Sequence, residues 1–334
     1  MSPISLEVER KIKDQLQTPK VVFHPVAGGG NNQIYKVNCA DGRVAALKLY
    51  NINVQADRLR LDREYGGLSF LSAQGESSIP RPIASDEASA YALYEWIEGV
   101  KPISTTKTDL RSVLSFIQRL KKYSSLPEAK ILQPAADNAL SVVSVINQLE
   151  RRLARLSNDS SADVLQTFLE EHYKPSLDKV LIKLKNSNTN IESSLSYKYS
   201  ILSPSDFGFH NAIKVGKKIF FLDFEYFGWD DPAAMLAHFL WHPAMNLTRE
   251  QKTYFETSMV EIFSTDSHFQ SRFNTLFPLI GLSWTLILLN EFIPSLWQRR
   301  VHAGAVLLSE YRERCEFQFK RAQQFLRNVS LSLH

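Results

Sequence analysis

The chain has 334 residues, of which 44% are hydrophobic and 22% are charged, and its formal net charge is +4. This length and apolar content suit two lobes with a sizeable core and exclude a chain that is disordered throughout. Because the basic residues are scattered among acidic ones, the composition does not favour a nucleic-acid-binding protein, which is the minor alternative.

Cysteine content and hydrophobic stretches limit the chemistry and the location. Cys39 and Cys315 are too few for a metal cluster or a disulfide framework. The N-terminal segment lacks the apolar core of a signal peptide, so a cytoplasmic location is expected. The most hydrophobic stretch, Leu276 to Leu289, contains Pro278 and is shorter than the roughly 18–20 residues of a membrane span. We therefore expect a buried helix there and no membrane partner.

Residues 21–51 (VVFHPVAGGGNNQIYKVNCADGRVAALKLYN) carry the first functional pattern. Alternating apolar residues and a turn at Asp41 and Gly42 predict a three-stranded meander. The glycine triplet in its first turn lets the backbone approach phosphate oxygens, and a lysine in its third strand can reach them. A flexible hairpin tip and an unrelated strand lysine would give the same pattern. The candidate nucleotide-binding residues are Gly28, Gly29, Gly30, Asn31 and Lys48.

Residues 56–75 have the periodicity of a helix whose apolar stripe includes Glu64. A glutamate on the inward face requires a cationic partner, because burial of an unpaired charge is costly. Lys48 is the first candidate, since such a pair directs the lysine amine towards phosphate in kinase-type lobes. A surface pair between Glu64 and Arg60 is the alternative.

The segment after this helix predicts a change of architecture. Residues 90–93 read as a last strand, and residues 94–99 (YEWIEG) read as a loop between lobes whose backbone can pair with an adenine edge. Helical patterns then dominate, notably in 139–156 and 164–186, and Asp109 lies near a helix cap. The sequence thus predicts an α+β protein with an N-terminal lobe at 1–97 and a mostly helical C-terminal lobe at 98–334.

Residues 201–233 (ILSPSDFGFHNAIKVGKKIFFLDFEYFGWDDPA) contain Asp206, then Asn211 five residues later and Asp223 twelve beyond that. A kinase catalytic loop places a carboxylate at the attacking hydroxyl five residues before a metal-binding Asn, and a metal-binding Asp follows on a hairpin. The turn around Gly216 predicts that hairpin here. Such hard oxygen ligands suit Mg²⁺. A loop Asp and Asn that only cap backbone groups would share the spacing.

Three residues close to these candidates are assigned to capping, substrate contact and structural support. Asp231 followed by Pro232 is typical of a helix N-cap and first helical position. Asp230 is a candidate for contact with the substrate. His210 is adjacent to Asn211, so its side chain is expected to point away from the metal and to be structural.

These patterns, in this order, resemble the aminoglycoside phosphotransferase and choline kinase family from Gly28 to about His238. YEWIEG resembles the family's hinge, and LDFEYFGWDDPA resembles its metal-binding segment with the Asp-Pro that follows. The resemblance implies a two-lobed, protein-kinase-like fold with a catalytic β-hairpin, and ATP and Mg²⁺ as cofactors. The implied roles are Asp206 as catalytic carboxylate, Asn211 and Asp223 as metal ligands, Lys48 as phosphate contact with Glu64 as its partner, and Glu95 and Ile97 as backbone contacts to adenine.

The chain also departs from the family. The family usually has a histidine two residues before the catalytic Asp and often another two residues after it, where this chain has Pro204 and Gly208. Neither histidine performs the transfer, but the first braces the loop. The alternatives are therefore a catalytically weak pseudokinase that binds nucleotide or regulates, and a protein kinase, which the short segment after Asp223 disfavours.

The resemblance implies transfer of the ATP γ-phosphoryl group to a hydroxyl of a small molecule. A cationic acceptor such as an aminoglycoside or choline would use acidic or aromatic side chains, for which Glu225 and Asp230 are the candidates. A sugar or another neutral alcohol would be held by scattered polar groups without a sequence pattern. We favour the neutral alcohols, and the oligomeric state is not predicted.

Overall fold

The computed structural model describes residues 4–26, 32–50, 55–160, 162–187, 190–302 and 304–333. An antiparallel sheet is followed by a larger, mostly helical part, which confirms the predicted α+β class. The strands are β1 (Val21–Val26), β2 (Gln33–Cys39), β3 (Val44–Leu49), β4 (Pro82–Asp86), β5 (Tyr91–Glu95), β6 (Ile201–Ser203), β7 (Ala212–Val215), β8 (Lys218–Phe221) and β9 (Gly228–Asp230). The α-helices are α1 (Leu6–Gln15), α2 (Gln55–Ala73), α3 (Lys107–Ser124), α4 (Val142–Asp159), α5 (Asp163–Phe168), α6 (Lys174–Lys185), α7 (Pro232–Trp241), α8 (Arg249–Ile262), α9 (Phe269–Leu288), α10 (Pro294–His302) and α11 (Tyr311–Leu331).

Strands β1 to β5 form one antiparallel sheet in the order β1-β2-β3-β5-β4. Its first three strands are the predicted meander. Successive side chains of a strand point to opposite faces. Leu47 therefore packs in a core with Ile12 of α1, whereas Lys48 faces Glu64 of α2. The sheet thus presents its lysine to the side on which the larger, helical part lies.

Two short strand pairs follow the helical segment. β7 and β8 form the predicted hairpin, with Ala212 opposite Phe221, and β6 pairs with β9. The linker after β5 joins the hairpin, because Val100 and Lys214 exchange backbone hydrogen bonds of 3.1 and 2.8 Å. A Cβ on Gly99 would lie 2.6 Å from the carbonyl oxygen of Lys214, so this close approach requires glycine. The lobe boundary between residues 97 and 98 falls in this linker and stays a prediction.

Capping residues stabilise the first turns of α3 and α7. The Thr106 hydroxyl and the Asp109 carboxylate form a capping box at the start of α3, and Asp109 also accepts a hydrogen bond of 2.6 Å from Lys214 of β7. Asp231 caps α7 by accepting from the Ala233 N–H at 2.8 Å, and Pro232 is the first helical residue. The predicted cap at Asp231 is confirmed.

The hydrophobic stretch near residue 280 forms α9, which lies in the core. Within the described residues, one helical segment, Phe269–Phe292, is long and apolar enough to cross a membrane, but 67% of its most apolar window is buried inside the protein. Trp241 of α7 donates to the Phe277 carbonyl at 2.8 Å and stacks on its ring. These contacts confirm the predicted buried helix.

Candidate functional site

Lys48 lies at the centre of a buried charge cluster. Its Nζ is 2.6 Å from Glu64 Oε2, 2.6 Å from Asp223 Oδ1 and 3.7 Å from Glu225 Oε2. Burial lowers the pKa of Lys48, but the three carboxylates outweigh burial and raise that pKa well above its ordinary value. The ammonium is therefore charged. It forms the predicted pair with Glu64, whereas Arg60 lies 3.8 Å from Glu225.

Glu64 is fixed by groups from three parts of the chain. Besides Lys48, the Tyr50 hydroxyl donates to Oε2 at 2.6 Å, and the Phe224 N–H donates to Oε1 at 3.3 Å. Burial raises the pKa of Glu64, and the attraction of Lys48 partly opposes this effect. One carboxylate thus connects β3, α2 and the segment that follows β8.

The carboxylates beside Lys48 form a candidate cation site. Oxygen atoms of Glu64, Asp223 and Glu225 lie within 4.8 Å of one another. Asp223 has φ 63°, in the left-handed region that residues other than glycine rarely adopt and that recurs at functional sites. Carboxylate oxygens are the ligands that Mg²⁺ prefers. The donor set therefore fits the Mg²⁺ that the sequence implies.

Asn211 is oriented by the loop that carries Asp206. Its side-chain nitrogen donates to the Asp206 carbonyl at 3.0 Å, and its backbone carbonyl accepts from the Leu222 N–H at 2.8 Å. The second bond brings Asn211 next to the residue that precedes Asp223. Among the described residues, the side-chain oxygen of Asn211 has no hydrogen-bond partner, so it is available to a metal ion.

The Asp206 carboxylate contacts two histidines. Its Oδ1 is 3.0 Å from His210 Nε2 and 3.5 Å from His242 Nε2. Burial alone would raise the pKa of Asp206, but the hydrogen bonds from both rings outweigh it and hold that pKa well below its ordinary value. Burial also lowers the pKa of His242, against the effect of Asp206. Asp206 is thus an ionised carboxylate at neutral pH.

Asp206, His210 and His242 also lie close enough together to be considered as metal ligands. However, the two imidazole rings are stacked, with 3.7 Å between centroids and 7° between planes. An ion shared by both rings would lie about half of that separation out of each ring plane, whereas the lone pair of an imidazole nitrogen lies in the plane. The geometry therefore favours hydrogen bonding to Asp206 over a metal held by both rings.

A cleft of about 410 Å³ brings these groups together. Glu95 and Ile97, the predicted adenine contacts, line it. The Glu95 N–H is already bonded to the Arg81 carbonyl at 2.8 Å, whereas the Ile97 N–H has no backbone partner within the described ranges. The other site residues that line the cleft are Asn32, Lys48, Glu64, Asp206, His210, Asn211, Asp223 and Glu225.

Some predicted residues lie elsewhere or have other partners. Gly28 to Asn31 fall outside the described residues. Asp230 is 2% exposed, does not line this cleft, and accepts hydrogen bonds from the N–H groups of Ala139 and Asp231 at 2.7 and 2.8 Å. Glu225, a candidate for contact with the acceptor, is also 2% exposed and accepts from Asn32 Nδ2 at 2.7 Å. Glu225 therefore belongs to the cluster around Lys48. Asp230 instead supports the backbone at Ala139 and Asp231.

The sequence reasoning missed Asn32, Tyr50 and His242. Asn32 lies two residues after the glycine triplet and Tyr50 two residues after Lys48, so their closeness in sequence to predicted nucleotide-binding residues was a weak signal. His242 has no such signal, since it reaches Asp206 from the C-terminal end of α7. The ring of His210 contacts the Asp206 carboxylate, and its expected direction away from the metal stays a prediction.

Comparison with known proteins identifies the fold of the chain. No protein-family model and no curated protein sequence matches the chain. A choline kinase (LicA) from Streptococcus pneumoniae matches with a TM-score of 0.60 at 13% identity, over 96% of this chain and 99% of that one. The gentamicin complex of APH(2")-IIa matches with 0.60 at 12% identity, over 98% and 97%. The amicoumacin kinase hAmiN in complex with AMP-PNP and Ca²⁺ matches with 0.53 at 14% identity, over 94% and 96%.

These identities are low, but the matches extend over nearly the whole length of both chains. The sheet, the buried lysine and the hairpin agree with the fold that the sequence predicted. The chain therefore has the protein-kinase-like fold of the choline kinases and aminoglycoside phosphotransferases.

Proposed function

We propose that this protein is an ATP-dependent phosphotransferase that moves the γ-phosphoryl group to a hydroxyl of a small molecule, such as a sugar, an amino alcohol or an aminoglycoside-like compound. One observation carries the proposal. A single cleft holds the paired Lys48 and Glu64, the strained Asp223, and the ionised Asp206 with its oriented Asn211. Each group matches a requirement of phosphoryl transfer from a nucleotide.

The nucleotide occupies the half of the cleft next to the sheet. Apolar side chains line that half and suit an adenine ring, with the backbone N–H of Ile97 at its edge. The ammonium of Lys48, held by Glu64, contacts the phosphates as a point charge. A volume of about 410 Å³ agrees with the size range of small-ligand sites. The glycine-rich turn at 28–30 is proposed to cover the phosphates.

Asn211 and Asp223 would hold Mg²⁺, and Glu225 contributes a further carboxylate beside them. When bound, the ion offsets the charge that develops on the phosphate oxygens. The kinase hAmiN, which shares the fold, is described in complex with AMP-PNP and Ca²⁺, and this supports a nucleotide with a divalent ion. Asp223→Ala is expected to abolish Mg²⁺-dependent nucleotide binding in a calorimetric titration.

Asp206 orients the acceptor hydroxyl and takes its proton. The hydroxyl oxygen forms a bond to the γ-phosphorus, the bond from that phosphorus to the β–γ bridging oxygen breaks, and ADP leaves. The hydroxyl proton passes to the Asp206 carboxylate, which can accept it because the carboxylate is ionised at neutral pH. Asn211 keeps the loop that carries Asp206 next to the metal ligands.

A screen of acceptors tests this proposal. ADP release from ATP and Mg²⁺ would be followed with pooled aminoglycosides, choline-type amines, sugars and amino alcohols. A pool that stimulates ADP release supports phosphoryl transfer and identifies the acceptor class. If the protein binds ATP but responds to no pool, the alternative of a pseudokinase that binds nucleotide gains and the proposed transferase activity is overturned.

A further inference from the structure

The two histidines that contact Asp206 do not come from the positions at which the family has them. His210 lies four residues after Asp206 and places its Nε2 3.0 Å from the carboxylate. His242 lies at the end of α7 and places its Nε2 3.5 Å from the same oxygen. At the positions two before and two after Asp206, the chain has Pro204 and Gly208.

The backbone fixes the protonation of His242. Its Nδ1 accepts a hydrogen bond of 3.1 Å from the Ala244 N–H, so Nδ1 carries no proton. A neutral imidazole then carries its proton on Nε2, the atom that faces Asp206. His242 is therefore set to donate to the carboxylate. The Trp284 ring packs nearly perpendicular to the His242 ring, with 4.5 Å between centroids and 79° between planes, and keeps it in place.

Gly208 makes room for this arrangement. A Cβ at residue 208 would lie 3.0 Å from His210 Nδ1 and 2.6 Å from Met245 Sδ. Any larger side chain at this position would crowd the His210 ring and the stack that it forms with His242. The family often has a histidine at this position. The glycine that this chain has instead leaves the space that the stacked pair occupies.

We propose that His210 and His242 are positioning residues that together hold the Asp206 carboxylate, in place of the two histidines that the loop lacks. The inference rests on the proposed phosphotransferase function. Both rings contact Oδ1, and the Asn211 amide is 3.3 Å from Oδ2. Oδ2 is therefore the oxygen that faces the acceptor hydroxyl, and the stacked rings prevent the carboxylate from rotating.

Substitution of His242 tests the proposal in the enzyme with its responding acceptor. His242→Phe keeps a flat ring on the stack and removes the donor, and kcat is expected to fall by roughly 10- to 100-fold with KM for ATP and acceptor unchanged. His242→Gln carries an amide nitrogen at a similar reach and is expected to recover part of the rate. His238→Phe is the matched control, because His238 packs on Trp284 from the same helix.

Equal kcat values for His242→Phe and wild type would overturn the proposal, and so would loss of rate in all three variants to the same degree. A second measurement does not depend on activity. Nitrogen-15 spectra of the histidine side chains, recorded at one pH, are expected to show shifted Nε2 signals of His210 and His242 in Asp206→Asn, with the signals of the exposed His172 unmoved. Unmoved signals at His210 and His242 refute the positioning contact. Shifted signals in a protein that no acceptor pool activates support the contact and overturn the proposed function.

Discussion

Replacement of Lys48 by methionine separates the structural and the functional roles of the buried cluster. Lys48→Met keeps most of the side-chain volume and removes the ammonium that lies 2.6 Å from both Glu64 and Asp223. Breaking a buried ion pair costs about 3–5 kcal/mol. Glu64 keeps its bonds from Tyr50 and the Phe224 N–H, so we expect about 2–3 kcal/mol of lost stability. This corresponds to a fall in Tm of roughly 3–4 °C for a chain of this length.

The same change is expected to weaken nucleotide binding. A hydrogen bond between charged groups contributes about 1.5–3 kcal/mol, so Kd for ATP should rise roughly 10- to 150-fold. Without Lys48, the carboxylates of Glu64, Asp223 and Glu225 lose the ammonium that lies beside all three. Mg²⁺ should therefore raise the Tm of the variant more than that of the wild type, since the ion neutralises charge that Lys48 otherwise neutralises.

Calorimetric titration with ATP and thermal unfolding with and without Mg²⁺ measure these effects. Lys36→Met is the matched control, because Lys36 lies on the neighbouring strand and pairs with Glu98 on the surface, at 2.8 Å. Its loss should cost less than about 1 kcal/mol and leave Kd for ATP unchanged. An unchanged Kd in Lys48→Met would refute the assignment of Lys48 to the phosphates. An equal effect of Mg²⁺ on both proteins would refute the cation site.

Two further predictions concern stability. Burial raises the pKa of Asp230 to about 7, so the folded chain holds a proton between about pH 4 and 7 that the unfolded chain has released, and stability falls as pH rises through that window. Asp230→Asn should therefore stabilise the protein by up to about 4 kcal/mol near pH 8 and by little at pH 4, at the lower end of the window, and equal Tm differences at both pH values would contradict this. In α2, a Cβ on Gly67 would lie 2.4 Å from the Phe227 ring, whereas one on Gly66 meets no atom within 4 Å. Urea denaturation should show a loss of about 1–3 kcal/mol in Gly67→Ala and a gain of about 0.5–1 kcal/mol in Gly66→Ala, and the reverse order would show that the contact is wrongly described.

Much of the fold follows from local patterns. The alternation in β2 and β3 and the turn at Gly216 predict strands because side-chain direction alternates along an extended chain. The Asp231 and Pro232 pair predicts the start of α7, since a cap depends on neighbouring atoms only. In each case, the residues that predict a strand, a turn or a helix start lie in that element or within a few residues of it.

The site is predictable where spacing fixes it and not where distant segments meet. Asp206 and Asn211 lie in one loop, so their spacing in the sequence determines how the two side chains are placed relative to each other. By contrast, His242 reaches Asp206 from 36 residues away, and Asp230 binds the Ala139 N–H over 91 residues. The contact of His210 with Asp206 was also not predicted, because a 3₁₀ turn over Phe209–Asn211 brings adjacent residues to the same carboxylate.

The proposed function depends most directly on Asp206. Mg²⁺-dependent ADP release should be measured for wild type and Asp206→Asn with the acceptor pool that responds, alongside Kd for ATP. We predict that the asparagine variant loses roughly 100- to 10,000-fold in kcat, because it cannot accept the hydroxyl proton, while Kd for ATP stays unchanged. Equal turnover by the two proteins would contradict the assignment of Asp206 as the catalytic carboxylate.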